Sequence, residues 1–157
     1  FIRGLRVLST LVGKADAHAK TNGITPAILL DARLAPDMLP LTGQIQRASD
    51  TSKMSGQRLS GVAAPRFDDT ETTFDELQQR IAKTIAYLET LQPAAFQGAQ
   101  ARTVQLNFGG FKPTFTGDTY LLTFALPNFF FHVTTAHDIL RHNGLPVGKL
   151  DYLGPFE

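Results

Sequence analysis

The chain of 157 residues contains no cysteine. Disulfides, thiolate catalysis and Cys-ligated zinc are thereby excluded, and a reducing compartment, the cytoplasm, is expected. Excess charge is missing as well: the formal net charge is +1 and charged residues make up 18%. A nucleic-acid binder carries a strong basic excess or a basic stripe, so no nucleic-acid partner is expected. Long apolar runs are also lacking. The most apolar stretch, Tyr120 to Phe131, is interrupted by Thr123, Pro127 and Asn128 and is too short to span a bilayer. No P-loop, Rossmann glycine pattern, Gly-x-Ser-x-Gly, EF-hand loop or His-Glu-x-x-His is present. A hydrophobic content of 43% rules out a disordered or fibrous chain. The length fits one domain, 1–157, with a core of its own. Phe1-Ile2-Arg3-Gly4-Leu5 already reads as helix without an initiator Met, so a short preceding piece is expected.

What the sequence does contain is helical periodicity. Leu5, Leu8, Val12, Ala15 and Ala19 follow the 3,4 spacing of one apolar face and predict a first helix from Ile2 to Lys20, stopped at Thr21-Asn22-Gly23. A short turn over Pro26 to Asp31 follows. A second helix is predicted from Pro36, with Met38, Leu41, Ile45 and Ala48 inward, ending between Met54 and Gly61. Val62 to Thr72, with Pro65, reads as loop. Thr73 and Glu76 form a capping box that starts a third helix, with Phe74, Leu77, Ile81, Ile85 and Leu88 on one face and Pro93 as its end. Val104, Leu106 and Phe108 alternate with polar residues before Gly109-Gly110, which predicts a hairpin within Arg102 to Thr116. The last helix is predicted over Pro127 to Asn143, with a kinked extension back to Asp118, and stops at Gly144 and Pro146. Four long amphipathic segments with one small hairpin before the last predict an all-α, up-and-down four-helix bundle. Seven of the twelve Phe lie between Phe108 and Phe131; they are expected to pack the hairpin over the bundle, or else to form a dimer surface.

Chemistry-bearing residues are few. His132 shares the stripe Asn128, His132, Thr135, Ala136, Ile139 and is expected to face the bundle interior as a hydrogen-bonded histidine. His137 lies about 140° around the helix from it and is expected outside. His142, beside Arg141, is expected to cap the helix end. Lys14 and His18 stand one turn apart at the margin of the first helix's apolar face and need acceptors if they edge inward. The second helix offers Asp37, Gln44 and Asp50, and its preceding loop offers Arg33. The expected arrangement is a hydrogen-bond and ion-pair network; its functional counterpart is a site for a small anionic or polar ligand, with His18 or His132 moving a proton. Asp68, Asp69 and Glu71 read as a solvated acidic loop. No spacing ties two carboxylates into an acid–base pair.

Two long motifs resemble an uncharacterised bacterial and fungal family: Ala32-Arg33-Leu34-Ala35-Pro36-Asp37-Met38, and Leu126-Pro127-Asn128-Phe129-Phe130-Phe131-His132-Val133-Thr134-Thr135-Ala136 with Ile139 to Gly144 behind it. Lys14 to Ala19, Gln44 and Gly148-Lys149 also fit, so the resemblance covers nearly the whole chain. That family is similar to the DinB/YfiT-like superfamily. The resemblance implies the bundle fold and a homodimer, but supplies no reaction. It also implies a divalent-metal site of three histidines, one from the second helix and an i, i+4 pair from the last. His132 matches the first of the pair; Ala136 stands where the second belongs, and Gln44 near where the second helix's histidine falls. The implied site is therefore degenerate, and no metal or other cofactor is expected, with a site rebuilt from His18, Asp50 and His132 as the alternative. Three readings of function follow: a metal-free bundle protein binding a small molecule, a metal-dependent transferase or hydrolase, and a homodimeric partner-binding module.

Overall fold

A computed structural model describes residues 1–155 of the chain. Helix α1 covers Ile2–Asn22 and ends where Gly23 takes the left-handed conformation, at φ 65, and returns its N–H to the Ala19 carbonyl. The short α2, Pro26–Leu30, has Pro in its first turn. Helix α3 spans Leu41–Ser60, five residues later than the Pro36 start expected. Pro40 is the reason: it disfavours helical dihedrals at Leu39, so Pro36 to Leu39 stays a turn and Pro40 becomes the N-cap. Helix α4, Phe74–Thr90, starts on the expected box, with the Thr73 hydroxyl accepting from the Glu76 N–H and the Glu76 carboxylate accepting from the Thr73 N–H.

Strands β1, Thr103–Gln105, and β2, Thr114–Thr116, pair antiparallel with Val104 opposite Phe115. The hairpin leads into α5, Gly117–Thr119, a π-helical segment, Tyr120–Ala125, and α6, Leu126–His142. These three run on without a break, so the extension back toward Asp118 is present. Pro127 explains the π turns. It has no N–H to donate and its ring would press on the carbonyl one α-turn back, so the helix widens just before it. A last helix, α7, Lys149–Leu153, follows the stop at Gly144; the apolar periodicity of five residues is too short to announce it.

Contacts fix the directions of the four long helices. Arg6 meets Glu89 and Ser9 meets Gln78, so α1 and α4 are antiparallel. Gln44 meets His132 and Ser55 meets Tyr120, so α3 opposes the last helix. Ser49 meets Thr84, while a Cβ at Gly56 would touch Leu88 and Leu91, so α3 and α4 run the same way. The expected helical bundle and hairpin are thus present, but the expected up-and-down alternation is broken between α3 and α4, which run parallel because the connection 61–73 returns along α3 before α4 begins. Leu8, Leu41, Ile45, Leu77, Ile81 and Ile139 share one buried cluster. A second cluster, with Leu59, Val104, Leu106 and Tyr120, lies beneath the hairpin. Two close approaches need glycine: a Cβ on Gly4 would lie 2.4 Å from Phe129, and one on Gly117 would lie 1.9 Å from the Ala99 carbonyl oxygen.

Candidate functional site at the seam of the second and last long helices

The seam between α3 and the last helix is polar along much of its length. Position 44, then 51, then 55 of α3 recur at the seven- and four-residue intervals that keep one helix face on its neighbour. Gln44 pairs with His132, Thr51 accepts from Asn128 at 2.7 Å, and Ser55 meets the fully buried Tyr120 hydroxyl at 2.9 Å. The Ser55 hydroxyl donates to the Thr51 carbonyl, so it accepts from Tyr120, whose oxygen in turn accepts from Arg58. Within the seam the Thr51 and Ser55 hydroxyls donate to backbone carbonyls and not to a base, which argues against a serine nucleophile here.

His132 is the imidazole of the seam. Its Nδ1 lies 2.7 Å from Gln44 Oε1. The Gln44 side chain is buried, and its amide nitrogen donates to the Leu39 carbonyl at 3.0 Å. A carbonyl can only accept, so the amide is oriented and Oε1 must receive the Nδ1 proton. Burial of the ring, with the Arg47 charge adding to it, pushes His132 down to about 4, so the imidazole is neutral at pH 7. It was expected to point fully inward and is instead half-buried.

A second polar cluster joins this seam through Arg47, which pairs with both Asp50 and Asp69. Arg80, with a side chain only 1% exposed, holds Asp50 at 2.8 Å, Glu71 at 2.8 Å and Asp69 at 3.0 Å. Lys53 adds a contact to Asp50, and both Lys53 and Arg80 lie over the Phe67 ring. Burial alone would raise the Glu71 carboxyl, but hydrogen bonds from Arg80 and Gln46 outweigh it and the net shift is downward. The acidic loop is therefore not simply solvated: Asp68 stays exposed, its carboxylate facing only Arg66 at 3.7 Å, while Asp69 and Glu71 are held by Arg80 because the loop must return along α3. Sequence reading missed Arg80, Lys53, Phe67 and Arg47. Arg80 had a signal, since Leu77, Arg80 and Thr84 keep the inward 3,4 spacing of α4.

The other expected site residues are dispersed. Lys14 is exposed and pairs with Asp151 of α7. His18 accepts from Asn22 on its own helix rather than from α3. Both line a cavity of about 260 Å³ floored by Leu145 and Val147, far along α1 from His132. Arg33 donates to the Met38 carbonyl, and Asp37 is exposed in the turn before α3. Asp50 is absorbed by three cations. The expected meeting of Lys14 and His18 with Asp37, Gln44 and Asp50 does not occur, because α1 and α3 are diagonal in the bundle and α7 supplies the nearer acceptor. His137, expected outside, is covered by the returning chain, contacting Asp138 and the Gly148 carbonyl. His142 is exposed in the last turn; Arg141, not His142, ties down the Val147 carbonyl.

The residues do not fit the three-histidine metal site that the family resemblance implies. Ala136 offers a methyl group one turn from His132, and the Gln44 oxygen is committed to the Nδ1 proton. A site rebuilt from His18, Asp50 and His132 is not assembled either, since the three lie apart. Among the described residues, no three His, Asp or Glu side chains gather to hold an ion, and no helix is long and apolar enough to cross a membrane.

Comparison with known proteins agrees with this architecture. No curated protein matches the chain. A crystal structure of a DinB family member protein from Shewanella denitrificans is 41% identical, with a TM-score of 0.93, over 99% of this chain and 88% of that one. The profile described as Domain of unknown function (DUF1993) matches residues 1–153. Matched over nearly its whole length, and sharing the fold of a DinB family member, the chain belongs to the DUF1993 family.

Proposed function

We propose that the protein binds a small molecule, without a metal, at the seam around His132, and that it does so in the cytoplasm. The observation that carries this reading is the Gln44–His132 pair. Gln44 places an acceptor where a metal site would need a ligand free to turn to the ion, and it fixes the ring so that Nε2 is left for something else. Binding is favoured over proton transfer. A base held down to about 4 is poorly matched to neutral pH, where general bases work best near 7. The absence of cysteine supports a reducing compartment.

The test is a thermal-shift screen of small molecules on the wild type and on His132→Ala, with elemental analysis of protein purified without chelator. Ligands should raise the wild-type Tm by mass action and leave the variant's unchanged, and chelator should move neither. If one equivalent of zinc or nickel co-purifies and is lost in His132→Ala, the reading is wrong and a metal-dependent transferase or hydrolase replaces it.

A second reading has its own observation. Phe108 and Phe111 at the hairpin tip are 52% and 67% exposed, and Leu122 on the π segment is 63% exposed. The hairpin rests on that segment through Phe108 and Phe124, 5.6 Å apart, and Phe108 and Phe111, paired across the tip, form one apolar face. Such a face supports a homodimer that buries it.

A further inference from the structure

We propose that the open side of His132 accepts a hydrogen bond, and that the seam takes small molecules with a flat apolar body and one O–H or N–H donor. The proposal rests on the reading of the seam as a ligand site and adds the chemical class. It follows from the direction of one hydrogen-bond relay. The Gln44 amide nitrogen must donate to the Leu39 carbonyl, its oxygen must therefore accept, and Nδ1 of His132 must carry the ring proton. The lone pair is left on Nε2. Among the described residues Nε2 has no partner and no side-chain nitrogen or oxygen is buried without one, so Nε2 opens to solvent.

The surroundings define the rest of the ligand. The Phe131 ring stands edge-on to the His132 ring, centroids 5.3 Å apart at 83°, and is 55% exposed. Leu39, whose carbonyl anchors the relay, is 43% exposed. A bare acceptor on the ring that the exposed Phe131 stands against suits a flat body whose donor points at Nε2. A carboxylate does not suit it. Carboxylate oxygens would face a lone pair, and charging the ring at pH 7 is disfavoured by about a thousandfold, both by burial and by Arg47.

Phenol and anisole form a matched pair of probes, with the same ring and with or without an O–H. They are titrated into the 15N-labelled protein while the His132 ring nitrogens and the Phe131 signals are followed by NMR. The free protein should show the Nδ1–H tautomer. Phenol should shift Nε2 saturably and anisole should bind roughly three- to tenfold more weakly, the worth of one hydrogen bond. Phe131→Ala should weaken phenol without changing the tautomer. Equal response to the two probes, an Nε2–H tautomer in the free protein, or no response to phenol overturns the proposal. If the screen then still yields ligands that need His132 but carry no donor, the class is wrong and the ligand site stands. If it yields none that need His132, the ligand site falls with it.

Discussion

At pH 7 the His132 imidazole is uncharged in the folded protein, whereas Arg80, more deeply buried, stays charged. The difference lies in partners. His132 has only a neutral amide oxygen on one side and the Arg47 charge nearby, with no carboxylate to offset the cost of burying an imidazolium. Burial opposes the charge of Arg80 too, but Glu71, Asp50 and Asp69 outweigh it and its affinity for the proton rises. Each group makes a prediction. Because His132 is lowered from 6.5 to about 4, the unfolded chain binds the extra proton between those values, so stability is full above pH 6.5 and falls as pH drops toward 4. Solvent reaching part of the ring limits the loss to roughly 1–2 kcal/mol. Urea denaturation at pH 7 and pH 4.5 should show it, and His132→Asn should remove it. The Glu71 contribution has the same sign but is lost only below its ordinary carboxyl range, so the two windows separate. Arg80→Ala leaves three carboxylates without their shared cation and should cost about 3–5 kcal/mol by denaturant unfolding; a cost under 1 kcal/mol would mean that the loop repacks. The nearness of His132 and Gln44 is legible through the family resemblance, which sets both at the implied metal site, and not through periodicity, whose inner stripe on that helix is Met38, Leu41, Ile45 and Ala48. Neither reveals the partners of Lys14, His18 and Asp50: long charged side chains reach several neighbours, and only the helix order selects among them.

At the scale of elements, caps and prolines carry the information. The Thr73–Glu76 box is legible because two local hydrogen bonds define it, and Thr73→Ala should cost about 1 kcal/mol in thermal unfolding without moving the rest of the fold. An unchanged Tm would show that tertiary packing alone sets the start of α4. Proline was read less completely. Pro36 suits a helix start, but the second proline at position 40 overrules it by constraining Leu39. Pro127 marks the foot of the last α-helix, and the sequence carries no separate sign that the helix continues behind it in π form. Gly117 is the tightest point of that continuation. With its Cβ position 1.9 Å from the Ala99 carbonyl, Gly117→Ala must displace backbone and should cost at least about 2 kcal/mol in denaturant unfolding. A neutral substitution there would mean that the turn Ala99–Ala101 yields easily.

For the whole molecule, the bundle is legible because six inner-stripe residues from four segments must find one another, and they do so in one cluster. The direction of α4 is not, because the return of residues 61–73 along α3 depends on Arg80, Lys53 and Phe67 meeting across elements. The Phe-rich segment divides in the same way. Phe115, Phe124 and Phe129 are packed, whereas Phe108 and Phe111 extend past the core they were expected to cover. Their exposure is a whole-molecule property, set by where the hairpin ends relative to the bundle, and it carries the last prediction. If the hairpin tip is the buried centre of a twofold interface, sedimentation should find a dimer at micromolar concentration. The double variant Phe108→Ser, Phe111→Ser should then be monomeric while its Tm, measured where the wild type is already dissociated by dilution, falls by only about 2–4 °C, the loss of the Phe108–Phe124 contact. A wild type that sediments as a monomer at 100 micromolar removes the dimer reading. A double variant that remains dimeric moves the interface elsewhere, with the exposed rings Phe130 and Phe131 of α6 the next surface to substitute.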